Sequence, residues 1–399
     1  MFQDDKYWTS QRKRVFLPRD SINLNAGTLS PTPVPVMEAL GNMRRQQAAV
    51  PSDFLWRQMP PLLNRARKSL ADYLKCPTST LLLLPNVTHA INLAADSLRL
   101  DAGSEILTTD QEYGAMLLVW KRLAMERGWR IRTVAIPYAS EDPAAILAAL
   151  ENAIAPETKV LFFSHVLSTT GTVLPAAELC AMARRRGLVS VVDGAHAAGM
   201  VPLDLTSIDA DFYAANCHKW IMAPMGAGFL NMRADRKTGL RPPVVSWGWG
   251  YGANEREADS GCGGTKWHHD LEFAGCTERC PQMVLPDVFE FCASLGTEAA
   301  IAQRARDLST FTREHFASLG FKCATPANPL LSGALTAFEF PPVDPIPFRE
   351  RLWNEHRIEC PVTVDDSGRR SLRVSTAWFI TRNEIEKLGT ALKALGIQK

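Results

Sequence analysis

Residues 189–220 read VSVVDGAHAAGMVPLDLTSIDADFYAANCHKW. Two short apolar runs, 189–192 and 212–215, each end in polar residues: Asp193-Gly194-Ala195-His196 after the first, His218-Lys219-Trp220 after the second. Short apolar runs bounded by turn formers read as buried strands. The same rhythm continues outward. Strands are expected at 81–84, 105–108, 130–135, 159–164 and 228–231, and helices at 87–98, 113–127, 143–153 and 175–186. Strands alternating with helices form βαβ units. The expected fold class is therefore α/β, with a large, mostly parallel seven-stranded sheet and helices on both faces. After Pro286 the pattern changes to long helices reaching about 319, a strand at 334–340, a helix at 347–356, strands at 358–362 and 372–375, and a last helix at 383–395. This reads as a smaller α+β C-terminal domain. Residues 34–260 are assigned to the large domain, and 1–33 with 281–399 to the small one. The Gly-, Trp-, His- and Cys-rich stretch from 244 breaks the rhythm, and 261–280 is set apart as an excursion.

In open α/β sheets, ligands collect at the carboxyl ends of the strands. Four strand ends carry candidate chemistry. Asn86-Val87-Thr88 follows the first strand and opens a helix, either as a plain N-cap or as a phosphate site. Ser164-His165-Val166-Leu167-Ser168 follows the 159–164 strand and by itself is an ordinary hydroxyl-rich turn. Asp193 lies behind apolar β residues, where an acid is costly unless paired; it could bind a metal, orient a histidine, form an ion pair or hold a protonated ring nitrogen. Lys219 lies between a histidine and a tryptophan, and lysines in such places shift pKa and form Schiff bases. Together a phosphate site, a carboxylate and an amine are what pyridoxal 5′-phosphate requires of a protein.

Composition narrows the partners. The 44 Lys and Arg against 42 Asp and Glu leave a net charge of +2, so no basic field favours nucleic acid. No apolar run approaches the ~20 residues that span a bilayer, so no membrane partner is expected. The first residues include acids and lack the apolar core of a signal peptide, and nine scattered cysteines suit a reducing cytoplasm. Cys262, His268, His269, Cys276 and Cys280 do not follow a zinc-finger spacing, and no metal is expected. There is no G-x-S-x-G elbow, and the first strand is followed by Pro85-Asn86-Val87-Thr88 rather than a dinucleotide fingerprint.

With NVTHAINL at 86–93, FFSHVLSTTGTVLPAAELCAMARRRG at 162–187, VVDGAHAAG at 191–199 and DFYAANCHKW at 211–220, the chain resembles the class V aminotransferase group of fold-type I pyridoxal-phosphate enzymes, and among these the isopenicillin N epimerase-like proteins. The likeness runs from about 23 to 379. It implies a homodimer with sites at the interface, into which 261–280 would reach from the neighbouring subunit. It implies that Lys219 bonds the cofactor aldehyde as a Schiff base and moves the Cα proton, while Asp193 pairs with the ring nitrogen. His196 and Ser168 would lie near the ring's phenolic oxygen, and Tyr113 would stack on the ring. Val87 (through its backbone), Thr88 and His218 would hold the phosphate, joined by Cys276 and Thr277 from the partner. Arg373 would clamp a substrate carboxylate, with Asn25 and Gly27 beside it.

Some positions depart from the epimerase pattern. Gly275-Cys276-Thr277-Glu278 stands where relatives carry Gly-Thr-Arg-Asp, Phe379-Ile380 stands for Tyr-Asn, and Asn25-Ala26-Gly27 differs in the early loop. These surround the substrate, so an amino acid or short peptide other than a β-lactam precursor is an open expectation. No cysteine lies in 361–370, where desulfurases carry their nucleophile, and Cys360 reads as structural. Epimerisation through Cα is the leading expectation. Transamination and C–S or β-elimination are alternatives, and a non-catalytic binding protein is the rival from another class.

Overall fold

The computed structural model describes residues 4–365 and 367–397. Seven strands form the main sheet: β1 (Leu81–Leu84), β2 (Glu105–Thr109), β3 (Arg130–Val134), β4 (Thr158–Ser164), β5 (Val189–Asp193), β6 (Phe212–Asn216) and β7 (Gly228–Met232). Their order is β1-β7-β6-β5-β4-β2-β3. Only β7 runs against its neighbours; the pairs from β6 to β3 are parallel.

Side chains on a strand alternate between faces. Leu81, Leu83, Leu107, Leu161, Phe163 and Val192 enter one core, whereas Leu82, Leu84, Ile106, Val160, Phe162 and Val191 enter the other. Both faces are therefore apolar and both must be covered. The helices Val87–Ser97 and Gly114–Arg127 cover the second face through Ile91, Leu93, Met116 and Trp120. The helices Met59–Leu74, Pro143–Asn152 and Ala176–Arg185 cover the first through Leu63, Leu70, Ile146 and Leu179. Burying one such leucine or phenylalanine stabilises the fold by about 1.5–3 kcal/mol.

A second, antiparallel sheet has the order β9-β10-β8, from β8 (Leu335–Phe340), β9 (Val362–Val364) and β10 (Arg370–Ser375). The helix Glu298–Ser318 packs on it, with Phe316 stacked on Phe338 at 4.6 Å. Near the N-terminus, Ile22–Asn23 pairs in parallel with Ile358–Glu359. Leu24 N–H then donates to Glu359, and Ser375 N–H donates to Leu24, so residues 24–27 are threaded against the end of β10. The expected strand 358–362 is thus two pieces, interrupted at Cys360-Pro361. The helices Val34–Ala49 and Met59–Leu74 were not foreseen; the first buries only Val36 and Leu40, and the second begins among prolines.

The stretch beyond residue 244 is tied to its own chain more firmly than its composition suggests. It contains the helix Lys266–Glu272. Glu272 is buried between Arg67 at 2.5 Å and Arg279 at 3.0 Å, and it also accepts Leu83 N–H. Both guanidiniums hold its carboxyl down at about 2 against the desolvation that would raise it.

Candidate active site

The carboxyl ends of β2, β4, β5 and β6 bring together Tyr113, Ser168, Asp193, His196, His218 and Lys219, and β10 adds Arg373. Lys219 Nζ lies 3.3 Å from His196 Nε2. Burial pushes the lysine down to about 8; Asp193 opposes that shift and Arg373 adds to it. Its free-amine form is therefore reached at a lower pH than for an ordinary lysine. Asp193 is buried, which raises its carboxyl, while Ala195 N–H at 2.8 Å and Lys219 pull it back. His196 is held far below the ordinary histidine range by burial, then by Lys219 and Arg373, so it is neutral. His218 is pushed down to about 4 by burial and by Lys219.

Arg373, only 5% exposed, is the most fully engaged of these groups. One terminal nitrogen donates to the Ser168 carbonyl and hydroxyl, both at 2.9 Å. The other donates to Asn25 Oδ1 at 3.2 Å and Thr28 Oγ1 at 3.4 Å. Burial pushes the guanidinium down to about 10, with the Cys360 thiol and the Tyr113 phenol acting to raise it. Asn25 is oriented by its amide nitrogen, which donates to Glu359 at 3.0 Å. Gly27 donates its N–H to Ser375 Oγ, and a Cβ there would meet His196 Cε1 at 3.2 Å. Asn25 thus stands against Arg373, and Gly27 against His196.

The phosphate end differs in part from expectation. Asn86 caps the helix Val87–Ser97 by accepting His89 N–H. Val87 N–H already donates to Asn216 Oδ1 at 2.9 Å, so it is not a free donor. The exposed Thr88, at the second helical position, keeps its N–H and hydroxyl free among the described residues. Cys276 and Thr277 are exposed, and within this chain they make no recorded contact with the Lys219 cluster. Tyr113 caps the helix Gly114–Arg127 and is 50% exposed.

Sequence reasoning passed over Glu112. It is buried, accepts Thr109 Oγ1 at 2.7 Å, and accepts the Ser164 N–H and hydroxyl at 2.9 and 2.5 Å. Desolvation carries its carboxyl up to about 7, those donors oppose the rise, and nearby Asp193 adds to it. His165 and Tyr213 were also missed; they are joined at 2.8 Å behind Gly194. For His165 and Tyr213 the only local signal was a polar group inside an apolar run, and Glu112, in a polar turn, carried none. Among the described residues, no three His, Cys, Asp or Glu side chains stand together as a metal site. His268 instead contacts Thr265 and Thr78, and His269 contacts Tyr251.

The model of the family "Aminotransferase class-V" matches residues 22–388. Isopenicillin N epimerase of Amycolatopsis lactamdurans is 44% identical across 97% of this chain and 98% of its own. The enzyme of the same name from Streptomyces clavuligerus is 42% identical with the same coverage. Among solved structures, the cystine C–S lyase C-DES in complex with cysteine persulfide has a TM-score of 0.79 at 25% identity, covering 94% of this chain and 97% of that one. With seven mostly parallel strands between two helical layers and a lysine, an acid and an arginine converging at their ends, the chain belongs to the class-V aminotransferase family.

Proposed function

We propose that this protein is a pyridoxal-phosphate-dependent enzyme that epimerises an amino acid or short peptide at Cα. The observation that carries the reading is that Asp193 and Arg373 lie close enough to act electrostatically on the buried Lys219, in a chain related over nearly its whole length to two isopenicillin N epimerases. The residues fit the cofactor. His196 Nδ1, His218 Nδ1, Gln111 Nε2, Thr169 Oγ1 and Arg373 Nε are buried without a partner among the described residues. Buried polar atoms are rarely left so, and those of His196 and His218, beside Lys219, support a polar ligand there. Asp193 would hold the ring nitrogen, Thr88 and His218 the phosphate, Tyr113 the ring face, and His196 with Ser168 the phenolic oxygen. When bound, the cofactor supplies an electron sink that makes the Cα proton acidic.

The residues themselves divide the remaining work. Lys219, whose amine form burial brings closer to neutral pH, takes the Cα proton. Arg373 orients the substrate carboxylate, displacing its two longer contacts to Asn25 and Thr28. Gly27 packs against His196, Leu335 and Ser375, where a Cβ would be crowded at 3.2–3.4 Å, so glycine lets the early loop lie close to the site. A second reading, β-elimination, is supported by the likeness to a cystine C–S lyase. Persulfide chemistry on a protein thiol is disfavoured: Cys360 is buried against the Arg373 carbonyl, and burial pushes its thiol up. A homodimer is part of the proposal, with Cys276 and Thr277 serving the partner's site, consistent with their exposure here. So is a cytoplasmic location, which nine free thiols suit. No helix among the described residues is long and apolar enough to cross a membrane. Lys219→Ala tests the reading: it should lose both the visible absorbance of the bound cofactor's covalent link and turnover. Full turnover in that variant would end it.

A further inference from the structure

Inversion at carbon requires a proton to leave one face and another to arrive on the opposite face. We propose that Tyr113 is the acid on the face of Cα opposite Lys219, an assignment that rests on the epimerase reading above. The sheet order supplies the first argument. Lys219 leaves the end of β6 and Tyr113 the end of β2, with β5 and β4 between them. Three interstrand steps of ~4.8 Å put the two strand axes ~14 Å apart. Asp193, the last residue of β5, and Ser168, beyond the end of β4, occupy the space between. The two side chains therefore approach the pocket from opposite flanks. Arg373 provides the second argument. It is bonded to Ser168, in the loop after β4 and so between the strands that lead to Lys219 and Tyr113, and its guanidinium interacts electrostatically with both. A carboxylate held by Arg373 thus places Cα between the two.

Anchorage and access complete the case. Glu112, the residue before Tyr113, is fastened in the interior by Thr109 and by both donors of Ser164. Those bonds tie the loop that carries Tyr113 to the end of β4, whose Ser164 stands opposite Asp193 in the sheet. The Tyr113 hydroxyl has no partner among the described residues, and half of the side chain meets solvent. His89, the other ionisable side chain near this end, is lowered by burial alone, with no charge contribution from Lys219 or Arg373.

The step balances. Lys219 amine takes the proton from one face, breaking that C–H bond and becoming an ammonium. The electron pair released is the pair that takes the Tyr113 proton on the other face, leaving a phenolate. Water then reprotonates Tyr113 and removes the proton from Lys219, so carbon is inverted with no net change in the protein.

Tyr113→Phe, loaded with cofactor and incubated with substrate in heavy water, separates the two faces. Tryptophan-fluorescence titration should give a cofactor affinity within about twofold of the parent, because the ring that stacks is kept. Deuterium should still enter Cα with retained configuration through Lys219. Inversion should fall by roughly a hundredfold or more, the usual worth of a positioned general acid. Tyr113→His, which returns an ionisable group, should recover part of it. Inversion within a few-fold of the parent would overturn the assignment, as would exchange and inversion falling together. If the parent protein neither exchanges nor inverts any substrate, the epimerase reading fails and takes this assignment with it.

Discussion

Replacing Arg373 by glutamine removes the cation at the centre of the pocket while keeping a polar side chain of comparable reach. In the structure its two short contacts hold Ser168 at 2.9 Å, and its two longer ones, 3.2 and 3.4 Å, face Asn25 and Thr28. A substrate carboxylate would exchange with the longer pair and gain charge-assisted hydrogen bonds. A hydrogen bond to a charged group contributes about 1.5–3 kcal/mol. At 1.36 kcal/mol per factor of ten, the apparent KM should rise roughly ten- to hundredfold. Cofactor affinity should change little, since no cofactor-holding role is assigned to this side chain. A second consequence follows from charge. Lys219 is pushed down to about 8 first by burial and then by Arg373, with Asp193 opposing. Losing a neighbouring cation makes the ammonium less unfavourable, so the pH at which Lys219 becomes a free amine should move up. Steady-state kinetics across pH, with a fluorescence titration of cofactor, reads both effects. An unchanged KM, or a limb that moves down in pH, would refute the reasoning.

Other substitutions test the surrounding framework. Gly194→Ala would put a Cβ 2.3–2.6 Å from the Tyr213 ring, which His165 pins from behind; denaturant unfolding should show a loss of about 3 kcal/mol, and an unaltered midpoint would contradict the packing. Glu272→Gln leaves Arg67 and Arg279 buried without their carboxylate and should cost about 3–5 kcal/mol by the same assay. Because Glu272 is depressed from 4.5 to about 2 in the folded state, its contribution of about 3 kcal/mol is complete above pH 4.5 and fades as the pH falls toward 2; the variant's acid-unfolding curve should lack that component. Cys360→Ser should keep turnover within about twofold, whereas a loss above tenfold would return a thiol nucleophile to consideration.

Much of the site was legible because its residues sit just beyond strands whose apolar runs are unambiguous. Asp193 is the last residue of β5, and Lys219 lies three residues beyond the end of β6, so the only freedom left is a short turn. What could not be read depends on partners distant in the chain. Glu272 gains its meaning from Arg67, 205 residues away, and from Leu83 N–H. Val87 N–H loses its expected role because Asn216, 129 residues on, takes it first. Glu112 looked like a loop acid, since nothing local announces that Thr109 and Ser164 will enclose it. The helix Val34–Ala49 escaped notice for a different reason: with only Val36 and Leu40 buried, it has no continuous apolar stripe.

The most direct test of the central claim uses the cofactor-loaded parent protein. A panel of amino acids and short peptides would be incubated in heavy water, followed by mass spectrometry and chiral chromatography of the products. The account predicts, for at least one substrate, deuterium at Cα and a mixture of both configurations with the carbon skeleton intact. A keto acid, or a product that has lost its β-substituent, with no inverted substrate, would contradict it.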